Sequence, residues 1–342
     1  MQRVLKGVAV ATKAPECLVQ RMSDLIIQRD PTSRYESGPG PESHTTDPPT
    51  TGPSFRDWSN VFETTHKHHF EGTITPLIQT ILGVALLREK LHHGTSASPI
   101  ELNTIWTLIH DAIITSSTDS GIKFNVSRSA QGCLVVTLCS LVTNGKIEEL
   151  WRLHIWLPDG KRGVDAVSVH SHQCFGRSWI LAGFGTDVIW DSFDVASSDS
   201  SNATHAKYAL AWTAAGETST RAKFMTHQQS STIRNTGKLV KLQLKGRTMH
   251  SRDMSYSIPC NTFHESIVPG GLLHATFFVF DSSRGYAADA PVLGPKEGTE
   301  FTQVRETPGI TAAKLAEIVE SARIVEAGNR SETSTSDLNS QT

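Results

Sequence analysis

From about residue 122 to residue 285 the chain runs in short apolar segments separated by turn residues: FNVSRS, CLVVTLCSLV, LWRLHIWL, AVSVHS, SWILAGFGTDVIW, KYALAWTA, KLVKLQL, SYSIPC and ATFFVF. Valine, isoleucine, threonine and aromatic residues dominate these runs, and many short strands at close spacing predict an antiparallel sandwich or barrel. No helical stretches alternate with them, which disfavours a parallel α/β sheet. Before this region the pattern is helical. Between residues 56 and 115, Thr75 with Pro76 reads as an N-cap and first-turn proline ahead of LIQTILGVALLREKLHH, and Ser98 with Pro99 repeats the device ahead of IELNTIWTLIHDAII. In the second of these, Leu102, Ile105, Trp106, Ile109 and Ile113 recur at three- and four-residue intervals and line one helix face. A last helix is predicted after Pro308, from about Thr311 through LAEIVESARIVEA.

The flanks carry little to bury. Residues 31–54 are nearly all Pro, Gly, Ser, Thr and charge and read as a disordered linker, which makes the segment before it a detached piece. Residues 4–28 form a weak amphipathic pattern that Pro15 interrupts, and GNRSETSTSDLNSQT from Gly328 is a polar tail. The pattern therefore divides the chain into an N-terminal segment and linker (1–54), a helical cap region (55–118), a β-barrel (119–290), a C-terminal extension with a helix (291–327) and a disordered tail (328–342). The helices read as a cap on an open barrel face that decides substrate or dimer contacts without performing chemistry. There is no internal repeat.

Composition narrows the classes of function. With 32 basic and 34 acidic residues, the net charge of -2 sets up no field that would gather nucleic acid or an anionic membrane, which favours small-molecule partners. The five cysteines, Cys17, Cys133, Cys139, Cys174 and Cys260, are odd in number and contain no C-x-x-C pair, which suits a reducing compartment and a cytoplasmic location. Lys13 and Glu16 interrupt the early apolar patch before a signal-peptide core can form, and the longest apolar run, Leu77 to Leu87, is well short of the ~20 residues a bilayer span needs. The sequons at Asn125, Asn202 and Asn329 read as chance matches. GFG at 183–185 lacks the GK pair of a phosphate loop, and no G-x-S-x-G element is present.

The chemistry concentrates in two stretches. In AVSVHSH, residues two apart on a strand point the same way, so His170 and His172 project side by side. A third ligand has to come from elsewhere, and SYSIPCNTFHESI offers His264, with Pro259 and Asn261 ahead of it. Order and spacing resemble the cupins, which carry two histidines one apart followed by a glycine (here His170, His172 and Gly183) and a later P-x-G-x-x-H block (here Pro259, Asn261 and His264). Asn261 in the glycine position is reasonable because Asn tolerates a left-handed backbone. Cupins commonly add a glutamate four or five residues after the second histidine. This chain has Gly176 and Arg177 there, so the resemblance narrows to the three-histidine subset that includes cysteine dioxygenase and other thiol dioxygenases.

That resemblance implies a cupin-type double-stranded β-helix, a jelly-roll barrel with flanking helices and disordered tails. It implies Fe(2+), with Zn(2+), Mn(2+) or Ni(2+) as alternatives, on His170, His172 and His264, and oxygen-dependent oxidation of a small thiol or carboxylate. The competing implications are a non-catalytic cupin that binds a small molecule and a metal-dependent isomerase or hydrolase. Departures from cysteine dioxygenase argue against cysteine specificity. Thr137 stands near the position of that family's substrate-clamping arginine, and Arg177 and Phe280 stand where its animal members cross-link a cysteine to a tyrosine. Arg152, His154 and Trp156 share one face of LWRLHIWL. If that face lines the barrel, Arg152 binds an anionic substrate and His154 serves as a base. Tyr256 and Trp179 read as packing aromatics or as groups that orient substrate, and Cys174 and Cys260 as buried hydrophobes. His66, Lys67, His68 and His69 read as a solvated segment, and His250 as a surface residue in a turn.

Overall fold

The computed structural model describes residues 1–28, 74–116, 121–143, 146–211, 230–304 and 308–339, which fall into two compact units, Met1–Phe124 and Asn125–Thr342. The linker at 31–54 and the histidines at 66, 68 and 69 lie outside the described residues.

The first unit consists of helices α1 (Gln2–Thr12), α2 (Glu16–Gln28), α3 (Thr75–His92) and α4 (Pro99–Ser116). Lys13 ends α1 in a left-handed conformation, φ 53°, two residues before Pro15. Val4, Leu5 and Val8 are buried and α1 packs on α2 and α3, so the N-terminal segment is part of this unit and is not detached. All five apolar residues predicted to share a face of α4 are buried. Gly83 lets α3 and α4 approach closely, since a Cβ there would come within 2.8 Å of the Ile109 side chain. Ser98 caps α4 as expected: its hydroxyl accepts from the Glu101 N–H at 3.3 Å, and its own N–H donates to Glu101 Oε2 at 2.9 Å, a capping box. At α3 the expectation shifts by one residue. The N-cap is Ile74, without a side-chain cap, and Thr75 already lies in the first turn with Pro76.

The second unit is mainly antiparallel β-structure. Its strands are β1 (Val126–Arg128), β2 (Leu134–Thr143), β3 (Lys146–Trp156), β4 (Cys174–Val195), β5 (His205–Ala211), β6 (Ser230–Ser251), β7 (Ser255–Ile258), β8 (Phe263–Ile267), β9 (His274–Tyr286), β10 (Val292–Gly294) and β11 (Glu300–Val304), followed by helix α5 (Ala312–Asn339). β4 belongs to two sheets. Up to Gly183 it pairs with β9 and β7, continuing through β3 to β2 and β1; from Phe184 it pairs with β6 and β8, and β5, β10 and β11 lie beyond. Gly183 sits at the changeover in a left-handed conformation, φ 74°, where a Cβ would run into the Leu273 carbonyl. Its N–H donates to Glu326 Oε1 of α5 at 2.6 Å, and buried Arg323 of the same helix donates to the Leu181 carbonyl at 2.7 Å.

β9 is buried on both faces, with Ala275, Phe277 and Val279 on one side and Thr276, Phe278 and Phe280 lining a cavity on the other. That is why ATFFVF reads as a continuous apolar run with no alternation. β10 and β11 pair with β5 and β6, so residues 292–304 belong to the sheet and not to an extension outside it. The helix of α5 continues through residues 328–339, where the sequence suggests a tail. Among the described residues no helix is long and apolar enough to cross a membrane.

Gly183→Ala is expected to cost more than about 2 kcal/mol, because the backbone strain of ~1–2 kcal/mol is joined by the clash with β9. Gly160→Ala, at φ 70° with open space around the new methyl, should cost the backbone part alone. Chemical denaturation of both variants checks this. Equal losses would show that the β4 changeover is not tightly packed.

Candidate metal centre

Two segments that are distant in sequence meet at the histidines. His170 and His264 oppose each other as an antiparallel pair that exchanges both backbone hydrogen bonds, at 3.0 and 2.9 Å. The register is the one already set by Gly176 against Ile258. Between the two pairs the chain makes the tight Pro259–Thr262 turn, in which Asn261 takes the expected left-handed conformation, φ 58°, and donates its N–H to the His172 carbonyl at 2.8 Å. Residues 168–173 are not a regular strand, because a 3-10 turn (Asp165–Val167) precedes them and His170 pairs only in isolated bridges with His264 and Val292. The alternation expected of a strand holds only in part: His170 and His172 line the cavity and Val169 is buried with Val240, Phe263 and Leu293, but Ser171, between the two histidines, lines the cavity as well.

The ligand atoms of His170, His172 and His264 all lie within 4.8 Å of one another. Nε2 of His172 and Nε2 of His264 are 2.9 Å apart. Two nitrogens bound at right angles to one ion at about 2.1 Å would be separated by roughly 3.0 Å, so this pair already has the spacing of adjacent ligands. The outer ring nitrogens are held. His170 Nδ1–H donates to the Ser168 carbonyl at 2.8 Å, and the Ser168 hydroxyl donates to Glu265 Oε2 at 3.0 Å. His264 Nδ1–H donates to Oδ1 of the buried Asp187 at 2.9 Å. The first bond fixes a tautomer of the neutral His170 ring that directs its Nε2 lone pair inward, and the Asp187 carboxylate orients the His264 ring, as outer partners do around histidine-bound metals. Burial, reinforced by His264, pushes the His170 pKa down to about 3, and burial together with His170 and His264 holds His172 well below the usual imidazole range. Both rings are neutral at pH 7.

The donor set is thus three imidazoles without a carboxylate, and it suits a divalent transition ion; iron, zinc, manganese and nickel all accept such nitrogens. At the position of the glutamate that most cupins add, Gly176 makes room for the Phe278 ring, and Arg177 is buried with its guanidinium 5.2 Å from the Trp179 ring.

Arg152, His154 and Trp156 share one face of β3, and that face lines the same cavity of about 730 Å³. His154 stacks on Phe278 with centroids 4.8 Å apart, its Nε2 is buried without a hydrogen-bond partner, and burial followed by the Arg152 charge lowers its pKa to about 3. The Arg152 guanidinium lies 5.7 Å from the Phe280 ring, which stands edge-on to His172 at 4.9 Å. Thr137 sits directly across the β2–β3 ladder from Arg152. Tyr256 also lines the cavity, stacked on His250 at 4.0 Å and 10°. His250 is therefore not a surface turn residue: it lies on β6, 6% exposed, covered by the chain that folds back as β7. Trp179 packs on Trp151, as expected of a core residue. Cys174 is buried at the cavity wall, and burial raises its pKa to about 11, which keeps the thiol protonated, while Cys260 is half-buried.

Sequence reasoning missed Asp187, Ser168 and Glu265. The available signal for Asp187 was a single acidic residue inside the apolar run GFGTDVIW. No protein-family model and no curated protein matches the chain, so the reading of this site rests on its own geometry.

His154 and His274 are held neutral by burial, with pKa values of about 3 and about 4, so between pH 4 and 6.5 the unfolded chain binds protons that the folded chain excludes. Stability of the metal-free protein should be full above pH 6.5 and fall as the pH drops toward 4. Thermal melts at pH 7, 6 and 5 test this, with a shallower decline expected in His154→Phe. A melting temperature that does not change from pH 7 to 5 would show that these rings are hydrated.

Proposed function

We propose that the second unit is a cupin-type double-stranded β-helix, a jelly roll, that holds one mononuclear Fe(2+) on His170, His172 and His264 and carries out oxygen-dependent oxidation of a small thiol or carboxylate substrate. The observation that carries this reading is the convergence of three imidazole ligand atoms within 4.8 Å at the wall of a cavity. His170, His172 and His264 would hold the ion, and a divalent iron bound there would supply the redox chemistry that activating dioxygen requires.

The chain's own residues supply the rest. Arg152 provides paired donors for an anionic group. His154 is not the base that the sequence suggests, since burial and then the Arg152 charge lower its pKa to about 3; neutral and with Nε2 unpartnered, it offers a hydrogen-bond acceptor to a substrate hydroxyl or thiol. Tyr256 remains a phenol and a donor, because burial first and then the Asp187 charge raise its pKa, against the opposing effect of the Ser178 and Ser266 hydroxyls. Phe278 and Phe280 keep water from the side of His172 that they face. All five cysteines are free thiols, which agrees with a reducing, cytoplasmic setting, and small molecules and dioxygen are the partners in this reading.

Metal analysis of the purified full chain, together with an oxygen electrode, tests the proposal. About one equivalent of iron, lost in the His170→Ala/His172→Ala double variant, and oxygen uptake with thiols or carboxylates are expected. Metal-free protein with an intact fold would point instead to a binding module, and metal retention without oxygen uptake to a hydrolase or isomerase.

A further inference from the structure

We propose that the open edge of β6 over residues 241–249 is a docking strand that takes an extended acidic peptide by strand addition. The edge lies outside the histidine cavity, and the proposal is independent of what that cavity holds.

The backbone is the first argument. β4 covers one side of β6 from Leu239 to Ser251, whereas β5 covers the opposite side only as far as Val240. Thr204, just ahead of β5, takes the last bonds on that side. Its N–H donates to the Val240 carbonyl at 2.9 Å, and its hydroxyl oxygen accepts the Leu242 N–H at 2.9 Å. Over residues 243–249 no strand among the described residues pairs with β6 there. Within 241–249 only Leu242 and Gly246 are half-buried, and the other residues are exposed. Such a row of unpaired N–H and C=O groups is a template for another chain.

Charge is the second argument and selects the occupant. β6 carries Arg234, Lys238, Lys241, Lys245 and Arg247 and no acidic residue. The carboxylates beside it on β4 are already engaged, Asp191 with Lys245 at 3.0 Å and Asp194 with Lys207 at 2.6 Å. Lys241 and Arg247 are exposed and have no carboxylate partner among the described residues. A second copy of the chain laid against this edge would set cations against cations, which is unfavourable in a strand pair. Nucleic acid would meet the charges but offers no ladder to the backbone groups. An acidic peptide strand satisfies both.

The side chains are the third argument. Leu244, Arg247 and Met249 stand opposite Trp190, Val188 and Thr186, alternate residues of β4, and so share one face of the sheet. Leu244 is 55% and Met249 65% exposed. An edge that only guards against aggregation needs the cations but not these two apolar side chains. A strand added here would present apolar, acidic and apolar residues in turn on this face and a further acid toward Lys241.

Fluorescence anisotropy with the full chain tests this, using fluorescein-labelled Val-Thr-Glu-Thr-Val-Thr-Thr-Glu as the probe. Saturable binding is expected. It should weaken at least tenfold when both glutamates of the peptide become glutamine, when alternate peptide nitrogens are methylated, or when the protein carries Lys241→Glu/Arg247→Glu, whose fold circular dichroism confirms. Amide exchange over residues 243–249 should slow when the probe is added. Absence of saturable binding, or binding that any one of the three changes leaves intact, overturns the proposal. So does a chain that sediments as a dimer with these amides already slow before the probe is added, which would assign the edge to a second copy. Single-stranded DNA that displaces the probe and slows the same amides at lower concentration would assign it to nucleic acid and overturn the proposal as well.

Discussion

Two backbone hydrogen bonds, exchanged between His170 and His264, are the constraint on which the candidate site depends. They set one residue of the first histidine segment directly opposite one residue of the second, and side chains so opposed lie on the same side of the sheet, within reach of each other. A slip of one residue would turn His264 to the other face and leave only a pair of imidazoles. The structure guards the register from both ends. On one side Gly176 to Trp179 pair with Ile258 to Ser255, and on the other β8 is held against the second half of β4. The left-handed Asn261 absorbs the turn between them.

The same arrangement settles the electrostatics. Burying three imidazoles close together would be costly if any were charged, and burial does keep His170 and His172 neutral. Buried rings need their outer nitrogens satisfied, and the Ser168 carbonyl and the Asp187 carboxylate do this for His170 and His264. What remains is a set of ring nitrogens close enough together to share one cation. Asp187 comes from the half of β4 beyond Gly183, so the change of sheet at that glycine also delivers the carboxylate behind His264.

Much of this was legible in the sequence because it is local. The capping box at Ser98 and the apolar face of α4 follow from spacing, the shared direction of His170 and His172 follows from strand alternation, and the conformation of Asn261 follows from its chemistry. The rest depends on contacts between distant segments. Nothing in MQRVLKGVAV says that α1 docks on α3, and RTMHSRD carries a surface pattern although β7 folds over His250. The short strands β10 and β11 are too brief to show a period, and Asp187, Ser168 and Glu265 become meaningful only once two strands place them behind the histidines.

X-ray absorption at the metal edge of the iron-loaded protein tests the central claim most directly, since it reads which atoms surround the ion. The account predicts a first shell containing three imidazole nitrogens at about 2.1 Å, reduced to two in a His264→Ala variant. A shell with fewer than three imidazoles, or one that does not change when His264 is removed, would contradict it.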